Sequence, residues 1–148
     1  VSLPAGTPVH GVSSGAALAW RTHHETSASR VVVVGDARRN ELWIGRFRCD
    51  GAYPAQEGIW EVVPHDRVSS EWTEGGVVWV SPDWHRIGAS LKAAGVGGGR
   101  LIEARCHPRA RDVAELAAAG VAAGLAPAPL VPMYLNPAVV VAPRFAAG

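Results

Sequence analysis

The pattern of hydrophobic and polar positions changes period along the chain, and each change marks an element. Residues 30–36 hold four consecutive valines, Val31 to Val34, between a polar stretch at 22–29 and Gly35. So short a β-branched run, bounded in this way, predicts a buried strand. Residues 41–49 then alternate, with Leu42, Ile44 and Arg46 on one face and Trp43, Gly45 and Phe47 on the other. Ala37, Arg38, Arg39 and Asn40 lie between the two segments. Asn40 tolerates positive φ, so the pair predicts a hairpin turning tightly near Arg39 and Asn40. A third strand is expected at 58–63, stopped by Pro64. A short helix is expected at 65–72, and a fourth strand at 77–80 after the break at Gly75 and Gly76.

Helical signals lie on both sides of these strands. Ser13 or Ser14 can cap a short helix over 15–21, whose body is Ala16, Ala17, Leu18, Ala19 and Trp20. Residues 22–29 are expected to be a loop. Ser81 or Asp83 can cap a helix running to about Ala94, before a flexible break from Gly95 to Gly99. A short strand follows at 101–105. Pro108 suits a helix start because its missing N–H costs nothing in the first turn. That helix places Val113, Leu116, Ala117, Gly120 and Val121 on one apolar face and ends near Gly124. Residues 1–12 are punctuated by Pro and Gly and expected to be extended, and 125–148 form a Pro-rich extended tail. With strands first in a hairpin and meander and helices after, the chain is expected to be one domain over 1–148. Its class is α/β, an α+β-like lobe with one sheet and helices packed on it.

Composition narrows the function classes. The chain has 148 residues, 48% of them hydrophobic, which suits one core and argues against disorder. A net charge of +1 gives no strong field toward nucleic acid or membrane, so strong direct nucleic-acid binding is not expected. The two cysteines, Cys49 and Cys106, fit no metal spacing and are expected to be reduced thiols of a cytoplasmic protein. No apolar run approaches the ~20 residues that span a bilayer, and no basic-then-apolar leader is present. A chain that begins at Val1 is expected to be a processed or cut piece of something longer.

Candidate chemistry is sparse. His23 and His24 are adjacent and diverge, Glu25 completes no His-Glu-x-x-His motif, and His10, His65, His85 and His107 are scattered, so no metal set is expected. Gly95-Val96-Gly97-Gly98-Gly99 lacks the Lys-Ser/Thr of a phosphate loop. Gly11-Val12-Ser13-Ser14-Gly15 has the letters of a nucleophile elbow, which would make Ser13 the nucleophile of a hydrolase. A helix cap explains the same letters. Asp36 with Arg38, Arg39 and Glu41 is either a general base with an anion clamp or a charged hairpin tip. The six tryptophans are not interleaved with Lys or Arg, so they suit a core or an interface better than base stacking.

Four stretches carry a family resemblance. Pro8 to Ser14 with Ala16 to Ala19 resembles the "PV-x-GVSSLEALA" segment of the TsaB (YeaZ) family. Val34 to Trp43 is similar to its "DARRGEVY" hairpin. Pro108 with Asp112 to Ala117 resembles its last helix, and Pro129 to Leu135 its "P-x-YLR" ending. They occur in the family's order over nearly the whole chain. Gly15 and Ala16 replace Leu-Glu, Asn40 replaces Gly, and Asn136 stands where Arg is usual.

The resemblance implies an ASKHA-type, RNase H-like fold without its N-terminal lobe, so that this chain covers roughly the last two-thirds of a member. It implies a non-catalytic accessory role in tRNA threonylcarbamoyladenosine synthesis. The implied partners are a TsaD-like catalytic subunit, whose metal-binding histidine pair this sequence lacks, and a TsaE-like ATPase. It implies no cofactor. Homodimerisation through the exposed lobe boundary is also an expectation. The residues that carry the resemblance, as structural or interface positions, are Ser13, Ser14, Asp36, Arg38, Arg39, Glu41, Trp43, Pro132 and Tyr134. The family's glycoprotease-like label leaves a glycoprotease or serine hydrolase using Ser13 as the alternative.

Overall fold

The computed structural model describes residues 9–68, 76–96 and 99–135. The expected extended opening at 1–8, the end of the short helix at 69–72, Gly97, Gly98, Asn136 and the tail beyond it lie outside the described residues.

The valine run becomes β1 (Arg30–Arg38), the centre of a six-stranded mixed sheet. It pairs antiparallel with β2 (Glu41–Arg48), Gly35 opposite Trp43 and Val33 opposite Gly45. On its other side it pairs parallel with β5 (Val77–Ser81), which pairs parallel with β6 (Arg100–Arg105). Of the strand expected at 58–63, only 61–63 is strand, within β4 (Glu61–Pro64); a short strand with no sequence signal, β3 (Ala55–Gln56), precedes it, and both are antiparallel to β2. The interruption holds Gly58 at φ 77° and Trp60, whose indole turns onto the sheet face. Pro64 closes this strand from inside it, opposite Glu41, where an edge position needs no N–H.

The first helix, α1 (Ser14–Thr26), is longer than its apolar body predicts. Thr22 and Thr26 lie within it, their hydroxyls donating to the carbonyls of Leu18 and Thr22, and Thr22 is buried. The hydroxyls thus find partners inside the helix, which continues through this polar segment until Ser27 turns left-handed at φ 57°. The next helix, α2 (Trp84–Ala93), follows β5. The last, α3 (Ala110–Ala122), starts where the Arg109 amide donates to the Asp112 carboxylate, 2.6 Å away. Its buried face is Asp112, Leu116 and Gly120, whereas Val113 and Val121, expected on that face, are exposed. The bond between the Asp112 carboxylate and the Arg109 amide satisfies the one charged group on that face. A short 3-10 turn, His65–Arg67, is the described part of the helix expected at 65–72.

Because β1 is covered on both sides, it reads as continuous valine. Val31 and Val33 join Phe47, Val78 and Val80 beneath α1 and Leu116 of α3. Val32 and Val34 join Leu42, Ile44 and Trp79 beneath Ile87 and Leu91 of α2, closed by Val96. The alternation read in β2 therefore holds, Leu42 and Ile44 facing one cluster and Trp43 and Phe47 the other. Three alanines in α1 let its backbone lie close to the sheet. Each fully buried Val, Leu or Phe contributes about 1.5–3 kcal/mol. The architecture is the expected α/β class, one mixed sheet with helices, placed on both faces.

Candidate functional site

The β1–β2 hairpin projects past the helices and organises the polar residues. Arg38 pairs with Glu41, which leaves Arg39 and Asn40 as a two-residue turn, and an extra residue bulges between Asp36 and Arg38. Arg38, Arg39 and Asn40 have φ of 69°, 53° and 62°. The turn falls where the sequence places it. The bulge and the left-handed arginines have no sequence signal, since Arg is not a residue that favours positive φ.

Asp36 ties this tip down. One of its carboxylate oxygens accepts the Arg38 amide at 2.8 Å, and the other accepts the Arg86 guanidinium of α2 at 3.1 Å. The Arg38 guanidinium lies 3.6 Å from the same carboxylate. The Asp36 amide donates to the Asp83 carboxylate at 3.1 Å, so Asp83 bonds the hairpin and makes no side-chain cap on α2. The Arg38 amide, and then the Arg86 side chain, hold the Asp36 carboxyl below the usual carboxylate range. Lowered proton affinity is the wrong direction for a general base at neutral pH. Of the readings open from sequence, the geometry favours the charged hairpin tip. Arg38 and Arg39 are exposed, and Glu41 is half-buried at the foot of the turn. Arg86, 50 residues away, has no local signal that links it to Asp36.

The opposite side of the hairpin is apolar. Trp43 lies over Gly35, its cross-strand neighbour, where a Cβ would come 2.1 Å from the indole. Trp60 lies over both Gly15 of α1 and Gly45 of β2, where added Cβ atoms would come 2.3 and 2.4 Å from its ring. The three rings meet edge to face, Trp60 with Trp43 at 5.6 Å and with Phe47 at 5.8 Å between centroids. Gly15 is thus explained: a larger side chain there would displace Trp60.

Beside this shelf is a cavity of about 710 Å³. Its walls are the start of α1, the two tryptophans and the extended stretch 128–135, and among the described residues no charged side chain lines it. Ser13, Ser14, Trp43, Pro132 and Tyr134 all border this cavity. Residues from both ends of the described chain are therefore neighbours. Asp36, Arg38, Arg39 and Glu41 belong to the same hairpin. The stretch is anchored where Ala128 pairs with Gly11, the Ala128 amide donating to the Gly11 carbonyl at 3.2 Å. Trp60 and its glycines were missed by sequence reasoning, because a Trp over a Gly leaves no periodic trace.

Ser13 caps α1. Its Oγ accepts the Ala16 amide at 3.4 Å and its carbonyl accepts the Ala17 amide at 2.9 Å. The residue is extended, φ −65° and ψ 126°, without the strained backbone of a nucleophile elbow. Among the described residues, no histidine is hydrogen-bonded to its Oγ. His23 and His24 bond the carbonyls of Ala28 and Trp20 instead. Among the described residues, no three of His, Cys, Asp and Glu gather as metal ligands. Cys49 and Cys106 are free thiols, and burial pushes Cys49 up to about 11. No described helix is long and apolar enough to cross a membrane.

No protein-family model matches this sequence, and no curated protein does. Solved structures do. An uncharacterized protein with similarity to peptidase YeaZ, from Pseudomonas aeruginosa, superposes with a TM-score of 0.68 at 25% identity, over 84% of this chain and 57% of its own. YeaZ from Pseudomonas aeruginosa superposes with a TM-score of 0.58 at 27% identity, over 76% of this chain and 51% of its own. The fold is therefore YeaZ-like, and this chain spans little more than half the length of the structures it matches.

Proposed function

We propose that this chain is the C-terminal lobe of a TsaB-like accessory protein in tRNA threonylcarbamoyladenosine synthesis. In this reading it acts in the cytoplasm as a non-catalytic scaffold for a TsaD-like catalytic subunit, together with a TsaE-like ATPase. The observation that carries the reading is the superposition on YeaZ-like structures over most of the chain. The gathering of the resemblance-bearing residues around one hairpin and one cavity supports it. A chain with about half the neighbours' length is expected to bind such a partner more weakly than a two-lobed protein. The test is co-purification with a TsaD-like subunit from the same organism, using this chain alone and using it joined to the other half of a YeaZ-like protein. Retention by the joined form supports the reading. If neither form is retained, and neither restores threonylcarbamoyladenosine in cells depleted of the accessory protein, the reading is wrong.

Similarity of one structural neighbour to peptidase YeaZ favours a second reading, a glycoprotease-like or serine hydrolase domain using Ser13. Its test is Ser13→Ala. A cap residue would lose about 1 kcal/mol of stability and leave any peptide cleavage by the purified protein unchanged. A nucleophile would lose the cleavage itself.

A further inference from the structure

Two hollows lie on either side of one thin partition. The cavity beside Trp43 and Trp60, about 710 Å³, and a second of about 280 Å³ between Tyr53 and α3 share Val12 and Ala128 in their walls. What divides them is the bridge between Gly11 and Ala128. Only a glycine permits so close an approach, since a Cβ at Gly11 would come 2.2 Å from the Ala128 carbonyl oxygen. We propose that residues 126–135 form a flap that undocks from the body as a unit, with this bridge as its latch, and that undocking joins the two hollows into one trough.

Three observations carry the proposal. First, the flap buries little. Every residue from Ala126 to Tyr134 is exposed, Val131 by 71% and Tyr134 by 84%, so lifting it gives up little apolar burial. Second, its polar attachment is slight. Among the described residues, the Ala128 amide on the Gly11 carbonyl, at 3.2 Å, is the one hydrogen bond between the flap and the rest of the chain. Both groups turn to water when it opens, so neither is left unsatisfied. Pro127, Pro129 and Pro132 fix φ along the flap, so it moves as a piece and does not fray residue by residue. Third, a hinge stands at its start. The last helix ends at Ala122, and Gly124 then turns left-handed at φ 67°. The bond that closes the helix, from the Leu125 amide to the Gly120 carbonyl at 2.9 Å, lies before the flap, so α3 keeps its end when the flap lifts. The floor keeps its shape too, because Trp60 is seated on Gly15 and Gly45, and Tyr53 on Gly120. The latch and the hollows are independent of any role in tRNA modification.

Native-state hydrogen exchange on the whole chain, followed amide by amide by NMR at low urea concentrations, tests it. The Ala128 amide should be protected, yet exchange at least about 100-fold faster than the Val32 and Val33 amides of β1. Its rate should not change with urea, because undocking exposes little surface, whereas the β1 amides should speed up with urea as global unfolding does. Gly11→Ala removes the latch, so the Ala128 amide should lose its protection while the β1 amides and the far-UV circular dichroism match wild type. Gly51→Ala, where a Cβ would meet only the Tyr53 carbonyl oxygen at 3.9 Å, should leave Ala128 as protected as in wild type. The wild-type chain alone can overturn the proposal. An Ala128 amide with the rate and urea dependence of the β1 amides means that the flap leaves only when the whole chain unfolds. An Ala128 amide with no protection means that the latch does not hold. A Gly11→Ala chain that exposes β1 as much as Ala128 overturns it as well.

Discussion

Substituting Gly45 by Ala tests the aromatic shelf most directly. A Cβ at Gly45 would stand 2.4 Å from the Trp60 ring, against an ordinary contact near 3.5–4 Å. The ring must therefore shift by more than about 1 Å, or the strand must bend. Little room is left beside it, because Gly15 of α1 lies against the adjoining Cη2–Cζ2 edge of the same ring. Moving outward loosens the edge-to-face contacts with Trp43 and Phe47. Overpacking of this kind costs about 1–3 kcal/mol. Against it stands the gain of replacing a strand-interior Gly, about 0.5–1 kcal/mol. The expected net loss for Gly45→Ala is about 1–2 kcal/mol, or a few degrees in melting temperature for a chain of this size. The decisive arm is the background. With Trp60→Leu the clash is gone, and Gly45→Ala should then stabilise by up to about 1 kcal/mol. The effect should therefore change sign between the two backgrounds in a double-mutant cycle followed by urea unfolding. Equal effects with and without Trp60, or a stabilised single variant, would refute the account of Gly45 as room for the indole.

The other expectations are local. Leu116→Ala removes the α3 side chain buried beneath α1 and should cost about 2–5 kcal/mol in urea unfolding, while Val121→Ala on the exposed face of the same helix should stay within about 0.5 kcal/mol. Asp36 has a lowered folded-state pKa, so its contribution is present above the unfolded carboxylate value of about 3.9 and is lost as pH falls through the lower folded value. Asp36→Asn should flatten the fall in stability across that acid window and leave the slope near pH 7 unchanged. Cys49 has the opposite sign: its folded value is raised to about 11, so its contribution is present below the unfolded ~8.5 and is lost as pH rises toward the folded value. At pH 8 a thiol-specific disulfide reagent should label native Cys106 ahead of Cys49, and Cys49 should react only on unfolding.

Short-range rules carried most of the architecture. Val31 to Val34, the alternation of 42–47 and the turn at Arg39 and Asn40 place β1, β2 and their hairpin correctly, because a buried strand and a tight turn are decided by neighbours in sequence. The strand expected at 58–63 starts only at Glu61, since Gly58 turns left-handed and Trp60 lands on Gly15 and Gly45 from two other elements. The last helix buries Asp112, Leu116 and Gly120 and not its valines, a face that the apolar stripe alone does not single out because the buried Asp112 is polar and finds its partner locally. The first helix outran its apolar body, with Thr22 buried on its inner face and its hydroxyl satisfied by the Leu18 carbonyl, which a polar letter in sequence does not reveal. Of the site, Ser13 as a cap and the polar hairpin were legible, and Ser13, Ser14, Trp43, Pro132 and Tyr134 were named from resemblance. Their convergence on one cavity was not legible, because it comes from the pairing of Gly11 with Ala128. The tie between Asp36, Arg86 and Asp83 was equally hidden, being a contact between residues far apart in sequence.

Stability and surface chemistry are separable in this chain, and that decides how its variants can be interpreted. Both faces of the sheet are covered by the chain's own helices, with Val31, Val33 and Leu116 buried on one side and Val34, Ile87 and Leu91 on the other. The two sides thus hold themselves together largely by burial between sheet and helices. The aromatic shelf is intermediate: Trp60 spans α1 and β2, so its loss both loosens the core edge and reshapes the cavity. Tyr134 and Val131 border the same cavity and are largely exposed. A defect from Leu116 should therefore appear in unfolding at any concentration. Tyr134→Ala should leave urea unfolding within about 0.5 kcal/mol of wild type, because an 84% exposed side chain buries little on folding. A larger loss would show that the 128–135 stretch is a structural strap that supports the fold.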